Sequence, residues 1–354
     1  MTSVKDVAQL AGVSLMTVSR ALNNPEKLSP ETLQRVRRAI DELQFVPSLS
    51  ARKMRGDNLQ SRTIGVFALD TATTPFAVEL LLSIEQTAQQ AGWNVFILNL
   101  LSNPPTDQNI DLMLSHRPDG LIFSAMGFRQ VSIPERLKSK PLVLANCLAD
   151  DSSLVSYVPD DETGQYRAVH HALSQGYRRP LCINLPKQSL AWDLRQKGLQ
   201  RACKAFGLAP EALLQYDLSD HDAYGETAAI LDRHIIEGRP QFDILICGND
   251  RIAFCAYQLL LGRGLKIPDD VAVLGYDNMI GIAELFIPPL TTVQLPYYEI
   301  GRNAARHLIE ALEVEGAQPV DCPLVVRESL LDSVAALRRW SKRRRVHSEN
   351  TRYR

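Results

Sequence analysis

Carboxylates and carboxamides recur just after several apolar runs in the central part of the chain. These runs include TIGVFALD, PLVLAN, DILICGND and VAVLGYDN. If the runs are parallel strands, a ligand binds beyond their carboxyl ends, so the polar side chains are expected around one cleft. The candidates are Asp70, Thr74, Asn146, Asp161, Asn249, Asp250, Asp277 and Asn278.

This set of residue types suits a neutral polyol such as a sugar. Each carboxylate or carboxamide can engage two adjacent hydroxyl groups, whereas an anionic ligand demands several cations. Asp250 is expected to cap the following helix and not to touch the ligand. Trp192 either stacks on a sugar ring or is a structural tryptophan.

A second group of candidate residues lies near the N-terminus, in VKDVAQLAGVSLMTVSRALN. On a helix that starts at Leu15, Arg20 could pair with guanine edges, while Leu15 and Met16 could touch thymine methyl groups. Thr17 or Ser19 could reach a phosphate. These residues predict a helix that reads the major groove of DNA, and an ordinary amphipathic hairpin is the alternative.

The elements that would present this helix are encoded locally. Apolar residues keep helical spacing on both sides of Gly12-Val13-Ser14. Gly12 can take the positive φ that ends one helix, Val13 can fill the angle, and Ser14 can cap the next helix. Ser29-Pro30-Glu31 predicts the start of a third helix. The predicted core consists of Val4, Val7, Ala8, Ala11, Val18, Ala21, Leu22, Leu33, Val36, Ile40 and Leu43.

Residues 46–56, VPSLSARKMRG, form a separate pattern. Ser48 can cap a short helix, Ala51 and Met54 supply apolar groups, and Gly56 ends the pattern. A helix of about two turns is marginal in water, so it is expected to form only when docked on DNA and on its symmetry mate. The alternative is a plain basic linker.

Charge is distributed unevenly over the 354 residues, although the net charge is −1. Residues 1–62 carry ten Lys/Arg against six Asp/Glu, and residues 338–354 carry eight against one. Basic ends on an acidic body indicate a polyanion-binding unit attached to a domain with another task. We predict a helix-turn-helix DNA-binding domain (1–46), a hinge helix and linker (47–62), an effector-binding and dimerisation domain (63–337) and a basic tail (338–354). The tail is either a disordered extension or a segment that adds non-specific DNA affinity.

Strand and helix patterns alternate from residue 63 onward, with helices expected over 76–91 and 107–116. Such alternation predicts an α/β fold with doubly wound parallel sheets. The strands are too many for one ordinary sheet, so we predict two similar lobes, the first ending near Asp161. The complete fold is then an all-α helix-turn-helix unit followed by a two-lobed core.

Several classes of protein are excluded by the sequence. No Gly-x-Ser-x-Gly, Walker, His-Glu-x-x-His or Gly-x-Gly-x-x-Gly motif is present, so neither catalysis nor a cofactor is expected. His170-His171 has no second pair at ligand spacing, so no metal is expected. No apolar run approaches the roughly 18 residues that cross a bilayer, and the N-terminus has no signal core. We therefore expect a cytoplasmic protein without a membrane partner.

The segments DVAQLAGVSLMTVSRALN, FVPSLSARKMRG, ICGNDRIAF, LGYDN and PPLTTVQ resemble the LacI/GalR family of bacterial transcription regulators. The resemblance covers residues 1 to about 330. It implies a core like that of periplasmic binding proteins, in which the chain crosses between the lobes three times and returns to the first after about residue 293. It also implies a hinge helix that wedges into the minor groove. Met54 stands where most relatives have Leu, and Ser48 where they usually have Asn.

The family's effector-site residues, carried over by position, comprise one wall, a set of hydrogen-bonding groups and an aromatic wall. In that order they are Thr74, Pro75 and Phe76, then Asn146, Arg195, Asn249 and Asp277, and finally Tyr297. Arg195 is the only cation that this resemblance implies for the cleft, and its guanidinium can hold a diol. The tryptophan that stacks on sugar in some members has no clear match between residues 216 and 225.

The expected function is that of a homodimeric repressor of a sugar-utilisation operon. Two heads bind the half-sites of a near-palindromic operator, and a small neutral sugar between the lobes releases the DNA. Leucine heptads are not sustained near the C-terminus, which favours a dimer over a tetramer. The alternative is a regulator of the same family that responds to another sugar, gluconate or a purine co-repressor, or one that acts as an activator.

Overall fold

The computed structural model describes residues 2–45, 61–71, 76–101, 104–209, 212–219 and 222–331. The chain divides into two compact units, Met1–Ser61 and Arg62–Arg354. The hinge candidates Ser48, Ala51 and Met54 lie outside the described residues, as does the basic tail.

The first unit contains three short helices, which we call the head. Helix α1 spans Val4–Ala11, α2 spans Leu15–Asn23 and α3 spans Pro30–Glu42. Their apolar faces meet in a buried core of Val7, Ala8, Ala11, Val18, Val36, Ala39 and Phe45. The helical spacing of the sequence predicts this core apart from Ala39 and Phe45.

Caps fix the ends of these helices. The Ser14 hydroxyl accepts a hydrogen bond from the Thr17 amide, and the Ser29 hydroxyl accepts one from the Thr32 amide. Gly12 ends α1 with a φ of 61°, and its N–H bonds back to carbonyls of α1. The predicted roles of Gly12, Ser14 and Ser29 as caps agree with this structure.

The second unit alternates strands with helices. In chain order its elements are β1 (Thr63–Leu69), α4 (Phe76–Gln90), β2 (Asn94–Leu100), α5 (Asp107–Ser115), β3 (Gly120–Val131), β4 (Leu142–Ala149), β5 (Val155–Pro159), α6 (Asp161–Ser174), β6 (Pro180–Asn184), α7 (Leu190–Ala205), β7 (Leu214–Asp217), α8 (Ala223–His234), β8 (Ile235–Ile236), β9 (Arg239–Pro240), β10 (Ile244–Cys247), α9 (Asp250–Gly262), β11 (Ala272–Asp277), β12 (Thr291–Gln294), α10 (Tyr297–Glu310), β13 (Ala317–Val320) and β14 (Leu324–Val325).

Two six-stranded sheets form the two lobes of this unit. The first has the order β13-β5-β4-β3-β1-β2 and is parallel throughout. The second has the order β14-β12-β11-β10-β6-β7 and is parallel except for its edge strand β14, which runs antiparallel to β12. The predicted α/β class with two lobes is confirmed. The antiparallel edge differs from the prediction because the chain enters β14 directly from β13 of the first sheet, so β14 does not complete a strand–helix–strand unit that would set it parallel to β12.

The chain passes between the two sheets three times. It leaves the first sheet after β5, returns to it at β13 after completing β12, and enters the second sheet again at β14. This confirms the crossing pattern that the family resemblance implies. The hydrophobic periodicity of the sequence does not reveal these crossings, because a strand of either sheet has the same pattern. In β1, for example, six of the seven residues are buried, as in any parallel strand covered on both faces.

Candidate functional site

The exposed face of α2 carries the residues predicted to read DNA. Leu15 and Met16 are 52% and 65% exposed, and Arg20 is also exposed. The Arg20 Nη2 atom lies 3.5 Å from the Met16 sulfur, so the cation and the apolar side chain share one surface. Such a surface suits base edges and thymine methyl groups in the major groove.

Of the smaller candidates, Ser14 at the N-cap of α2 is exposed, whereas two residues on the helix are less so. The Ser14 hydroxyl lies 3.1 Å from the Thr17 amide and 2.9 Å from the Thr17 hydroxyl, so it is engaged within the head. Thr17 and Ser19 are half-buried. Arg35 of α3, which the sequence does not single out, donates to the carbonyls of Ala11 at 2.6 Å and Gly12 at 3.1 Å. It therefore holds the turn that sets the angle of α2.

Arg195 of α7 is the centre of the candidate effector site. Its Nε donates to Asp161 Oδ1 at 2.7 Å, and its Nη1 donates to the Gly248 carbonyl at 2.6 Å. The guanidinium carbon lies 3.5 Å from the centroid of the Tyr276 ring, and Nη2 lies 4.0 Å from Asp277 Oδ1. These contacts hold the guanidinium in one orientation between the ends of β10 and β11.

Two carboxylates keep this buried guanidinium charged. Burial by itself lowers the pKa of Arg195, but the charges of Asp161 and Asp277 raise it, and the net direction is upward. Burial raises the pKa of Asp277 well above its ordinary value, while Arg195 opposes that shift. Asp161 Oδ2 is buried and has no hydrogen-bond partner in the described part of the chain. It is an acceptor that a ligand hydroxyl could satisfy.

Tyr297, the first residue of α10, lies close to this group. Its side chain is buried, and burial together with the nearby charge of Asp277 raises its pKa. The Leu295 amide donates to the Asp277 carbonyl at 3.2 Å, which ties the segment before α10 to the end of β11. The structure thus brings Arg195, Asp277 and Tyr297 together.

Asn249, and not Asp250, caps α9. Asn249 Oδ1 accepts the Ile252 amide at 2.9 Å. Asp250 is fully buried and accepts the Met279 amide at 2.8 Å and the Thr292 hydroxyl at 2.7 Å. The predicted capping role of Asp250 is therefore wrong, because the helix starts one residue earlier than the pattern indicates. Burial raises the pKa of Asp250 to about 6.

Asn249 remains part of the arginine cluster through the backbone. It directly follows Gly248, whose carbonyl binds Arg195. Asn278, by contrast, contacts a different arginine: its Oδ1 accepts a hydrogen bond from Arg327 Nη2 at 2.7 Å. Of the two polar residues after VLGY, Asp277 is the one that stays near Arg195.

The first lobe contributes a different group of polar side chains. Asn146 lies within β4 at a φ of 60°, and its Nδ2 donates to the Ala125 carbonyl at 2.8 Å. Its Oδ1 is buried with no hydrogen-bond partner among the residues that the structure describes. Thr74 and Pro75 lie outside the described residues. Phe76 begins α4, and its side chain is likewise outside them.

A second cation stands at the end of β1, contrary to the prediction that Arg195 is the only one. Arg129 Nη1 lies 3.0 Å from Asp70 Oδ2, and Asp70 directly follows β1. The sequence pattern does not reveal this pair because Arg129 comes late in the long strand β3, 59 residues away. Since Asp70 offsets its charge, the pair still fits a site for a neutral ligand.

Two family models match the chain. Residues 3–48 match the bacterial regulatory proteins of the lacI family, and residues 61–326 match the periplasmic binding proteins and sugar binding domain of the LacI family. The chain belongs to the LacI family. Its members are regulatory proteins, so this chain is a transcription regulator and not an enzyme.

Relatives and solved structures place the chain more closely within the LacI family. The sucrose operon repressors of Escherichia coli and Shigella flexneri are each 49% identical over 328 residues, which cover 92% of this chain and 99% of theirs. These figures confirm the similarity to the sucrose operon repressor of enteric bacteria that the runs LSARKMR, DTATTPF, ANCLADD and LICGNDR indicate.

The fold is shared with solved LacI-family proteins. A lac repressor dimer bound to operator and the anti-inducer ONPF matches with a TM-score of 0.77 at 24% identity, over 93% of this chain and 99% of that one. A putative regulator of the family from Rhizobium etli matches with a TM-score of 0.69 at 29% identity, over 77% and 99%.

Two contacts of Arg195 in this structure were not identified from the sequence. Asp161 is named there as a strand-end residue but not as the partner of Arg195, and Tyr276 is not named at all. The position of Tyr276 directly before Asp277 is the signal that could have found it. Within the described ranges, no group of three or more His, Cys, Asp or Glu residues could hold a metal ion. No helix described in the structure is long and apolar enough to span a membrane.

Proposed function

We propose that this chain represses a sucrose-utilisation operon in the cytoplasm. It binds operator DNA as a homodimer through α2 and releases the DNA when a small neutral sugar binds beside Arg195. The observation that carries the proposal is the 49% identity to sucrose operon repressors, which extends over 92% of the chain and so includes both head and core.

The charge balance of the cleft supports a neutral effector. Arg195 lies between the carboxylates of Asp161 and Asp277, and Arg129 is paired with Asp70. Both guanidinium groups are thus already paired with carboxylates of the protein. An effector that carries a phosphate or a carboxylate would need further cations to bind it. The neighbouring acceptors and the ring of Tyr297 instead match the hydroxyl groups and the apolar face of a sugar.

Release of the operator requires only a modest difference in affinity. The sugar must bind the DNA-free form more tightly than the DNA-bound form, and a typical coupling of about 1–3 kcal/mol changes operator affinity by about 5- to 150-fold. The charged contacts to phosphates make operator affinity fall steeply with salt concentration.

The test uses operator sequences selected from random duplexes by the purified full-length protein. Fluorescence anisotropy then measures operator affinity with and without sucrose, fructose or glucose. We expect at least one of these sugars to raise the dissociation constant for the operator by about 5- to 150-fold, while gluconate and adenine leave it unchanged. Equal operator affinity with every sugar would refute the proposal.

Arg20→Ala tests operator recognition by α2 in the same fluorescence anisotropy measurement. Loss of one bidentate base contact typically costs about 1–3 kcal/mol, so the variant should bind the selected operator about 5- to 150-fold more weakly. Its affinity for a random duplex should change much less, because that binding depends on phosphate contacts. Unchanged discrimination between the two duplexes would remove Arg20 from the base readout.

An apolar surface on the second lobe is proposed as the dimer contact, and we call it the α9 patch. Phe254 is 52% exposed, and Leu285 and Ile287 are 69% and 81% exposed. Exposed apolar groups in such a cluster mark interaction sites. A second copy is the partner that the proposal requires, since a near-palindromic operator needs two heads. The patch consists of Phe254, Tyr257, Gln258, Leu261, Ile282, Leu285, Phe286 and Ile287.

A charge placed in the α9 patch should separate the protomers. Ile287→Glu would bury a carboxylate in the contact, so we expect the dimer dissociation constant to rise by at least about a hundredfold in sedimentation equilibrium. Ile236→Glu is the matched control, because Ile236 is also exposed but lies in β8, outside the patch. An unchanged dimer in Ile287→Glu would place the contact elsewhere.

A further inference from the structure

The polar edge of the second sheet continues beyond the Arg195 cluster. The adjacent strands β11, β10, β6 and β7 each carry a polar residue at or just beyond their end. Asp277, Asn184 and Asp217 end β11, β6 and β7, and Asn249 comes two residues after β10. Neighbouring strands lie about 4.8 Å apart, so the row from β11 to β7 spans about 14 Å. This length suits two sugar rings side by side and exceeds what one ring covers.

A second cluster occupies the far end of this row. The Trp192 indole N–H donates to Asp217 Oδ1 at 2.7 Å, and Asn184 Nδ2 donates to the same oxygen at 3.1 Å. Asn184 and Asp217 are also register partners at the ends of β6 and β7. These two hydrogen bonds fix the indole ring at the edge of the sheet, where Trp192 is half-buried.

The second cluster is continuous with the Arg195 cluster. Trp192 and Arg195 are three residues apart on α7 and therefore share one face of the helix. Both residues line a small cavity with Asn184 and Gly248, the residue whose carbonyl binds Arg195. The two clusters are therefore direct neighbours along the edge of the sheet.

The charge of the second cluster suits a neutral ring. Lys187 Nζ lies 3.4 Å from Asp217 Oδ2 and 5.7 Å from the centroid of the Trp192 ring. Asp217 thus offsets the charge of Lys187, as Asp161 and Asp277 offset that of Arg195. An aromatic face beside a carboxylate and a carboxamide matches the C–H face and the hydroxyl groups of a sugar ring.

We propose that Trp192, Asn184 and Asp217 form an outer subsite for the second ring of a neutral disaccharide, whose first ring binds beside Arg195 and Asp277. The inference rests on the proposed function and refines it, because it makes a disaccharide, and not a single hexose, the preferred effector. Trp192 supplies the ring contact, and Asn184 and Asp217 hold it in place and accept hydroxyl groups.

Calorimetric titration of the full-length protein tests this assignment with sucrose, fructose and glucose. The wild type should bind sucrose at least about tenfold more tightly than either hexose. Trp192→Ala should weaken sucrose binding about tenfold and change the affinity for the better-bound hexose less than about twofold. Trp192→Phe, which keeps an aromatic ring, should stay within about threefold of the wild type. Gln200→Ala, at an exposed position of the same helix, is the control and should change nothing.

Asn184→Ala provides a second variant in case Trp192→Ala does not fold, and it should also weaken sucrose binding selectively. Equal losses for sucrose and the hexose, or no loss for sucrose, would overturn the outer subsite. So would a wild type that binds sucrose no more tightly than the hexoses. If the wild type binds none of the three sugars, the proposed function itself fails, which is a different result from failure of the subsite.

Discussion

Replacement of Arg195 by alanine should lower the free energy of unfolding of the two-lobed unit by about 3–5 kcal/mol. Asp161 is fully buried, and its Oδ1 accepts Arg195 Nε at 2.7 Å, so the variant leaves a buried carboxylate without its counter-charge. The change also removes the donor to the Gly248 carbonyl and the cation on the Tyr276 ring. Urea denaturation of the full-length protein, followed by circular dichroism, measures the loss.

Arg201→Ala is a matched control for this prediction. Arg201 lies on the same helix, pairs with Glu162 at 2.5 Å and lies 4.3 Å from the centroid of the Tyr166 ring. Its side chain is 48% exposed, however, so solvent replaces the lost contacts and the cost should stay below about 1 kcal/mol. Equal losses in the two variants would show that burial of the Asp161–Arg195 pair has no special consequence.

The double variant Arg195→Ala/Asp161→Asn separates the lost charge from the lost packing. A neutral amide needs no counter-charge, so the double variant should be more stable than Arg195→Ala by about 2 kcal/mol or more. No recovery would mean that the packing of the guanidinium on Tyr276, and not the charge of Asp161, accounts for the loss.

Features that the sequence predicts well are those encoded by neighbouring residues. Ser14 and Ser29 each cap a helix by accepting a hydrogen bond from the amide three residues later, and Gly12 ends a helix by its own backbone conformation. The apolar runs that predict strands, such as TIGVFALD and VAVLGYDN, are likewise local, and each of them forms a strand. In contrast, the two-residue β14 has no pattern of its own, and the chain reaches it from β13 of the other sheet, so its antiparallel pairing with β12 is not encoded by neighbouring residues.

The partners within the candidate site could not be predicted in the same way. Arg195 is 34 residues from Asp161, Arg35 is 24 from Ala11, and the buried Asp250 is 42 from Thr292. Such pairs form only when distant segments come together in the folded chain, so no spacing in the sequence reports them. The strand-end pattern and the family resemblance both supply Asp277, and the resemblance supplies Arg195, but only the folded chain shows that Arg195 Nη2 lies 4.0 Å from Asp277 Oδ1.

Asp277→Ala should have the largest effect on the sugar response. Asp277 ends β11 with its Oδ1 4.0 Å from Arg195 Nη2, where a carboxylate can accept two hydroxyl groups of a sugar. Removing a charged acceptor should raise the sugar dissociation constant about a hundredfold in calorimetric titration. Operator affinity without sugar should stay within about twofold of the wild type, because α2 belongs to the other compact unit.

Asp269→Ala, at an exposed position of the same lobe, is the control for Asp277→Ala and should leave both affinities unchanged. An operator complex of Asp277→Ala that sugar still releases at wild-type concentrations would move the effector site away from the end of β11. Loss of operator binding without sugar would instead show that Asp277 supports the fold of the chain and not the sugar response.

The pH dependence of sugar affinity provides a second test of the role of Asp277. Burial holds the pKa of Asp277 well above its ordinary value, so its protonated form persists to higher pH than in an exposed aspartate. Because the carboxylate is the form that accepts two hydroxyl groups, wild-type sugar affinity should fall as the pH is lowered through this raised pKa. The affinity of Asp277→Ala should not respond to pH in the same range.

Stability should change with the opposite sign. A carboxyl group with a raised pKa contributes its full stability below the pKa of the unfolded chain, about 3.9, and the contribution is lost as the pH rises through the folded value. Asp277→Ala should therefore reduce the decline in the free energy of unfolding as the pH rises above about 4. Urea titrations at several pH values measure this slope. The sugar titrations could also contradict the prediction for affinity. If the wild-type protein bound sugar more tightly at lower pH, proton uptake would favour the complex, and the protonated acid of Asp277 would be the form that binds the hydroxyl groups.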